Sequence, residues 1–138
     1  MNQAGLFTAY RIQEKRLENA DTCSLVLDGS LPDALPGQFV MAWLPGIDER
    51  PFSLSGNDPM RITVADVGPF SHALNQLQCG ERLWLRGPLG NGFTPRGHSH
   101  LLLGGGYGAA PLIFLANSLC AQDNQVGVCL GARSCADL

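Results

Sequence analysis

The sequence has little surplus charge and no apolar run long enough to cross a membrane. Nine lysine and arginine residues stand against twelve aspartate and glutamate residues, for a net charge of −3, and neither sign forms blocks. This balance gives no electrostatic attraction for nucleic acid or an anionic membrane. A membrane span needs about 20 apolar residues, and the first residues lack the basic-then-apolar layout of a signal peptide. We therefore expect a cytoplasmic protein that binds neither nucleic acid nor membrane.

The cysteines are too scattered for a ligand cluster. The five are Cys23, Cys79, Cys120, Cys129 and Cys135. No two form a CxxC pair, and an odd number in a chain without a signal peptide argues against a disulfide framework. Iron–sulfur clusters need thiolates at short spacing. We expect buried or incidental thiols, no metal site and no [2Fe–2S] cluster in this chain.

The sequence shows no arrangement of catalytic side chains. His72, His98 and His100 have no partner pattern, and neither paired carboxylates nor a Ser/His/Asp set can be placed. Asp48 and Glu49 are interpreted as a solvated loop beside Arg50. No catalytic residue is assigned, so any chemistry would come from a bound cofactor.

The region from residue 5 to about 97 has the pattern of a β domain. Short apolar runs alternate with Asp-Gly, Pro-Gly, Asn-Asp-Pro and Gly-Pro turns, which is typical of an antiparallel barrel or sandwich. The predicted strands are Phe7–Lys15, Thr22–Leu27, Gln38–Leu44, Phe52–Ser55, Arg61–Ala65 and Arg82–Arg86. One helix is predicted over Ser71–Gln78, with Ser71 as its N-cap.

From His98 the pattern changes to that of an α/β segment. Leu101–Leu103 reads as a buried strand, Ala109–Ala121 as a helix and Gln125–Leu130 as a second strand. Apolar strands on either side of a helix predict a βαβ unit with a parallel sheet. We therefore divide the chain into a β domain over 1–97 and the first part of an α/β domain over 98–138.

The motif RPFS, residues 50–53, is the first candidate for binding chemistry. Arginine offers a fixed charge and a planar fork suited to phosphate. Phe52 lies two residues on, on the same face of an extended chain, and Ser53 offers a small donor on the other face. Charge, ring and donor together could hold a flavin nucleotide. The alternative is a rim arginine beside a core phenylalanine.

Two glycine-containing turns follow. VGPFSHAL, residues 67–74, leads into the predicted helix, where free backbone N–H groups favour an anion. The alternative is that Ser71 caps the helix and binds nothing. RGPLGNGF, residues 86–93, has three glycines and a proline in eight residues, which by itself indicates a turn at the edge of the barrel.

The last motif is GGGYGAAPL, residues 104–112. Glycines there would let the backbone approach a pyrophosphate, with the following helix N-terminus facing the charge. Pro111 suits a first helical turn, where its missing N–H costs nothing. Counted from Gly106, the spacing is G-x-G-x-x-P rather than G-x-G-x-x-G, so the loop alone does not decide between nucleotide binding and a plain turn.

The order of these motifs is more specific than any one of them. PGQFV, then RPFSLS, the glycine and serine turn, RGPLGNGF and finally GGGYGAAPL, with LGAR near the end, together resemble the ferredoxin reductase-like flavoprotein family. Within it the chain resembles the electron-transfer subunits of dihydroorotate dehydrogenase, which act in pyrimidine biosynthesis. The resemblance covers essentially the whole chain. It implies a mainly β fold: a Greek-key β-barrel of the FAD-binding type, followed by an incomplete α/β nucleotide-binding segment.

The resemblance also implies which residues bind cofactors. Arg50 would pair with the FAD phosphates, Phe52 would lie against the flavin, and Ser53 would approach the isoalloxazine edge. Ala65 stands where the family often has a basic residue, and Phe70 stands where it usually has a glycine. The implied FAD-binding set is Arg50, Pro51, Phe52, Ser53, Thr63, Val64, Ala65, Gly68, Phe70 and Ser71, and the implied NAD(P)-binding set is Gly105, Gly106 and Gly108.

Family members complete the nucleotide domain after the glycine loop, and the dihydroorotate dehydrogenase type adds a [2Fe–2S] cluster. This sequence has neither, so we expect a truncated form in which NAD(P) binds weakly, turnover is impaired and a homodimer forms through the incomplete α/β segment. The leading hypothesis is an oxidoreductase subunit that passes electrons between NAD(P)H and a partner, such as a dehydrogenase catalytic subunit, through FAD. The alternatives are a non-catalytic binding or assembly module with the same fold, and a small barrel that binds another nucleotide or anion.

Overall fold

The computed structural model describes residues 5–135, and its largest part is a closed antiparallel β-barrel. The six strands are β1 (Thr8–Leu17), β2 (Thr22–Leu27), β3 (Phe39–Leu44), β4 (Asp48–Asn57), β5 (Met60–Ala65) and β6 (Arg82–Leu89). They lie around the barrel in the order β1-β2-β5-β4-β3-β6, and β6 closes onto β1. The predicted Greek-key barrel is confirmed, and the sandwich alternative is excluded.

The barrel core includes alternate residues of β3 and β5, whose buried and less buried positions alternate strictly. In β5, Met60, Ile62 and Val64 are fully buried while the residues between them are only partly buried. Alternate side chains of a strand point to opposite faces, so one face of each strand fills the interior. Full burial of a side chain of this size stabilises the folded protein by about 1.5–3 kcal/mol relative to its exposure to water.

A short helix, α1 (Pro69–Gln76), connects β5 to β6. The prediction that Ser71 caps it is wrong: the N-cap is Gly68, and Ser71 lies inside the first turn. The helix begins earlier because Pro69 has the backbone geometry of a first helical residue and needs no N–H partner there. At the other end, Lys15 Nζ donates hydrogen bonds to the carbonyls of Asn75 and Leu77, where the helix carries partial negative charge.

The remaining elements form a βαβ unit. They are β7 (Ser99–Gly105), a 3-10 helix (Gly106–Ala109), α2 (Ala110–Cys120) and β8 (Gln125–Gly131). The two strands pair in parallel, with Leu102 opposite Val128, so the predicted parallel βαβ unit is confirmed. The prediction that Leu101–Leu103 is a buried strand is wrong: Leu102 is buried, whereas Leu101 and Leu103 lie on the opposite face of the strand and are exposed.

Helix α2 lies between the small sheet and the barrel. Leu115 and Leu119 pack with Leu102 of β7, while Phe114 joins the barrel core. The division into domains at residues 97 and 98 stays a prediction. The predicted domains begin and end with residues 1–4 and 136–138, which lie outside the described residues. Within residues 5–135, no helix has the length and apolar character needed to cross a membrane.

The cysteines of the structure are all free. Cys23 is buried in the barrel, and the other four side chains are exposed. Burial raises the pKa of the Cys23 thiol, which donates a hydrogen bond to Asn75 Oδ1 at 2.7 Å. Among residues 5–135, no three His, Cys, Asp or Glu side chains are grouped so that they could hold a metal ion.

Candidate functional site

A cavity of about 620 Å³ lies where the barrel meets the α/β segment. Its walls come from β4, β5, the turn into α1, the 3-10 helix and the start of α2. The volume is in the range of small-molecule and cofactor sites. The following predicted site residues line it: Arg50, Pro51, Phe52, Ser53, Thr63, Ala65, Gly68, Phe70, Ser71 and Gly108.

Arg50 is held on the cavity wall by contacts of its own strand. Its Nη2 lies 2.6 Å from Asp48 Oδ2 in an ion pair, and its Nη1 donates to the Glu49 carbonyl at 3.1 Å. Residues 48–50 pair with Leu44, Trp43 and Ala42 of β3. The interpretation of Asp48 and Glu49 as a solvated loop is therefore wrong, since both belong to β4.

Two phenylalanines form the aromatic part of the wall. The rings of Phe52 and Phe70 are stacked, with centroids 6.1 Å apart and planes at 30°. Phe70 is 7% exposed and packs with the barrel core. Its side chain therefore fixes the start of α1 against β4 and presents ring surface to the cavity.

The turn into α1 supplies backbone donors. The Ser71 hydroxyl accepts hydrogen bonds from the N–H groups of Val67 at 2.9 Å and Gly68 at 3.0 Å, and it donates to the Gly68 carbonyl. These hydrogen bonds within the turn stabilise its conformation. By helix geometry, the N–H groups of Phe70 and Ser71 have no acceptor inside the helix, so they are available to an anion at this end of the cavity.

On β5 the predicted segment divides between two environments. Thr63 and Ala65 line the cavity, whereas Val64 is fully buried in the barrel core. The Thr63 hydroxyl hydrogen bonds with Ser24 Oγ at 2.9 Å and donates to Ser55 Oγ at 3.2 Å. Any contact of Val64 with a ligand would have to come from its backbone.

The glycine loop contributes one glycine to the cavity and uses others for structure. Gly108 lines the wall, while Gly105 pairs with Gly131 in the small sheet. Gly106 has a φ of 54°, which favours glycine. At Gly104 a Cβ would lie 2.9 Å from Leu112 Cδ1 and 3.2 Å from the Ala109 Cα atom, so glycine there favours the close approach of these residues to β7.

Sequence reasoning missed Tyr107 and Pro111, which also line the cavity from the α/β side. The signal for Tyr107 was an aromatic residue inside a glycine-rich turn. The RGPLGNGF segment lies outside the cavity wall: a Cβ at Gly90 would lie 2.9 Å from the Phe39 ring, and one at Gly92 would lie 2.6 Å from Leu35 Cβ. Its glycines allow it to pack against neighbouring barrel residues.

The chemistry of the cavity fits an aromatic ligand that carries phosphate. Arg50 provides a planar cationic fork, the N-terminus of α1 provides backbone donors, and Phe52 with Phe70 provides ring surface. Ser53 and Thr63 add hydroxyl groups. A flavin nucleotide combines these requirements.

Solved structures and curated relatives agree on the kind of protein. No family model matches the chain. The FAD/NAD-binding domain of nitric oxide dioxygenase from Vibrio cholerae superposes with a TM-score of 0.82 at 26% identity, over 94% of this chain and 64% of that one. The NADH-dependent reduced ferredoxin-NADP oxidoreductase, solved for flavin-based electron bifurcation, gives 0.85 at 29%, over 97% and 52%. In fold and sequence the chain is similar to these ferredoxin reductase-like FAD/NAD-binding domains.

The curated relatives that are similar in sequence are described as electron transfer subunits. The probable dihydroorotate dehydrogenase B (NAD(+)) electron transfer subunit of Thermococcus kodakarensis is 50% identical over 99 residues, which is 72% of this chain and 42% of the relative. Further relatives with the same description are also covered over less than half of their length. The chain thus spans somewhat less than half of the curated relatives that it matches.

Proposed function

We propose that the cavity binds FAD and that the protein passes electrons between NAD(P)H and a partner dehydrogenase subunit. The observation that carries this proposal is the convergence of Arg50, Phe52, Ser53 and the N-terminus of α1 on one cavity of about 620 Å³. The relatives described as electron transfer subunits and the FAD/NAD-binding domain of similar fold support it.

Each part of the wall has a proposed role. Arg50 and the amides of Phe70 and Ser71 hold the phosphates. The space beside Gly68 is open, because a Cβ there would meet no atom within 4 Å. Phe52 and Pro51 lie against the rings. Ser53 and Thr63 offer hydrogen bonds to the polar ring edge, and Ala65 and the Val64 backbone complete the β5 side.

FAD bound there would accept hydride from a nicotinamide and release electrons to an acceptor. The protein's own residues position the ligand and exclude water. The stacked pair of Phe52 and Phe70 keeps one wall apolar, and Tyr107 and Pro111 bring the α/β segment over the same cavity. This arrangement would place the glycine loop beside the flavin site.

For the nicotinamide we propose weak binding at Gly105, Gly106 and Gly108 and slow turnover. The described α/β segment consists of one helix, a 3-10 turn and a two-stranded sheet, which leaves little surface to bury a second nucleotide. Anaerobic addition of NADH to the FAD-loaded protein measures this. Slow loss of the visible flavin absorption is expected, and bleaching within mixing time would contradict it.

The partner and the assembly are also proposals. The relatives' description as subunits of a dehydrogenase supports a catalytic-subunit partner. A cytoplasmic location is proposed from the sequence. A homodimer through the α/β segment is supported by the exposed Leu101 and Leu103 on one face of the small sheet.

Replacement of Arg50 by alanine tests the FAD site. R50A removes the cationic side chain of the cavity wall, so FAD affinity should fall by about ten-fold, the value of one charge-assisted hydrogen bond. The matched control is R16A, because Arg16 is an exposed arginine paired with Glu14 on β1 and lies outside this cavity. FAD titration followed by flavin fluorescence gives both affinities. Equal FAD affinity in R50A and R16A would contradict the assignment.

A non-catalytic binding or assembly module remains the second candidate. It is favoured by two observations: Phe70 fills space at the start of α1, and Asp48 already pairs with Arg50. The R50A titration separates the candidates, since a module without cofactor predicts the same weak or absent FAD binding in the parent protein, in R50A and in R16A.

A further inference from the structure

An acidic side chain on the cavity wall, Asp48, pairs with Arg50, the residue proposed to bind phosphate. The Asp48 carboxylate lies 2.6 Å from the Arg50 guanidinium, and both side chains line the cavity. Both are about half exposed, so the pair faces the space that a ligand would enter. Among the described residues that line this cavity, Arg50 is the one fixed cation and Asp48 is the one carboxylate.

The backbone holds Asp48 in place for this contact. Its Oδ1 accepts a hydrogen bond from the Glu49 N–H at 2.8 Å, which leaves Oδ2 directed at Arg50. Asp48 opens β4 and pairs with Leu44 of β3. The carboxylate is therefore anchored by its own strand and does not depend on a mobile loop.

We propose that Asp48 competes with the phosphates of the bound nucleotide for the Arg50 guanidinium and thereby limits the affinity of the cavity. The inference rests on the proposed FAD site. A phosphate must either take the place of Asp48 on Arg50 or lie beside a carboxylate of the same charge. Either arrangement lowers the affinity of the cavity for an anion. Neither arrangement changes the affinity for a ligand without phosphate.

The neighbouring acid provides a matched control. Glu49 carries the same charge one residue away, but it pairs with Arg86, with Oε1 2.7 Å from Nη2 and 2.9 Å from Nε. Glu49 does not line the cavity. D48N removes the charge and keeps an oxygen for the Glu49 N–H, whereas E49Q removes one charge from the same strand without freeing Arg50.

The experiment is a titration of the parent chain, D48N and E49Q with FAD, riboflavin and inorganic pyrophosphate. For an exposed ion pair, D48N should bind FAD about two- to five-fold more tightly. Pyrophosphate should bind more tightly by a similar factor, and E49Q should resemble the parent. Riboflavin lacks phosphate, so its affinity should be the same in all three proteins.

The salt dependence provides a second readout. With Asp48 present, the cavity wall has no net charge and the affinity for FAD should vary little with salt. In D48N the free guanidinium attracts the anion, and added salt should screen that attraction. FAD affinity should therefore fall with salt more steeply in D48N than in the parent or in E49Q.

The outcomes separate this inference from the proposed function. If FAD binds but neither FAD nor pyrophosphate binds more tightly to D48N than to E49Q, the proposed competition by Asp48 is wrong. The proposed FAD site is then still supported. If pyrophosphate binds more tightly to D48N and FAD binds to none of the three proteins, the competition stands and the FAD site is wrong. A gain in riboflavin affinity equal to the gain for FAD would also overturn the competition.

Discussion

At the scale of single residues, Gly104 and Gly105 of the glycine loop differ in how closely other atoms pack against them. A Cβ at Gly104 would lie 2.9 Å from Leu112 Cδ1 and 3.2 Å from the Ala109 Cα atom, whereas one at Gly105 would meet only the Gly131 carbonyl oxygen at 3.8 Å. The first glycine therefore allows α2 to lie close to β7. The second has an ordinary extended backbone, with a φ of −131°.

We predict that G104A destabilises the protein and that G105A does not. The added methyl group at Gly104 forces the backbone of the 3-10 helix or the Leu112 side chain to move, at a cost of about 1–3 kcal/mol. The free energy of unfolding from urea titration measures this. G105A should stay within about 0.5 kcal/mol of the parent. Equal losses in the two variants would contradict the packing role of Gly104.

Part of the candidate site could be predicted residue by residue. The segment Arg50–Ser53 combines a cation, an aromatic ring and a hydroxyl, and all of it lines the cavity. Thr63, Val64 and Ala65 were predicted as one contact segment, but the two-residue period of a strand turns Val64 into the core. Tyr107 was missed because its place on the wall depends on how α2 packs against the barrel, which no local pattern encodes.

At the scale of elements, strand and helix positions followed from the sequence more closely than their ends. Thr22–Leu27 was predicted to the residue, since this β-favouring segment is bounded by Asp21 and Asp28. Strand β4 is longer than predicted because Asp48–Arg50 is polar and becomes a strand only through pairing with β3. The start of α1 was misplaced because Ser71 was preferred as a cap over the Gly68-Pro69 pair.

Helix α2 joins the two parts of the chain through Phe114, which packs in the barrel core and is 7% exposed. We predict that F114A lowers the free energy of unfolding by about 3–5 kcal/mol, because a buried ring is lost from a core that relaxes only partly. I113A is the control, since Ile113 precedes it on α2 and is 45% exposed. Urea unfolding of both variants makes the comparison. A loss in I113A as large as in F114A would contradict the docking role of Phe114.

At the scale of the whole molecule, the small sheet has an uncovered apolar face. Leu101 and Leu103 of β7 are 70% and 68% exposed, and in a strand they share one face. Helix α2 covers the opposite face through Leu102. The proposed homodimer would bury this surface.

We predict that L103K makes the protein monomeric, because a lysine at this face would have to be buried without a partner in the dimer. L17K is the control, since Leu17 is also a largely exposed leucine, at 78%, on barrel strand β1. Sedimentation velocity measures the mass of each. A parent protein that is already monomeric, or a dimer that persists in L103K, would contradict the proposed interface.

The overall architecture could be predicted only in part from the residue pattern. Apolar periodicity and turn residues gave an antiparallel β region followed by a βαβ unit, but left barrel and sandwich open. Closure depends on β6 pairing with both β1 and β3, and such long-range pairing has no local signature. The ordered motifs and their resemblance to a known family decided that point.

The most direct test of the central claim is the visible absorption spectrum of the protein after incubation with FAD and removal of free ligand by gel filtration. A cavity that holds FAD through Arg50, Phe52 and the N-terminus of α1 predicts a protein fraction with the flavin absorption band, at close to one flavin per chain. A colourless protein fraction that takes up no added FAD would contradict it.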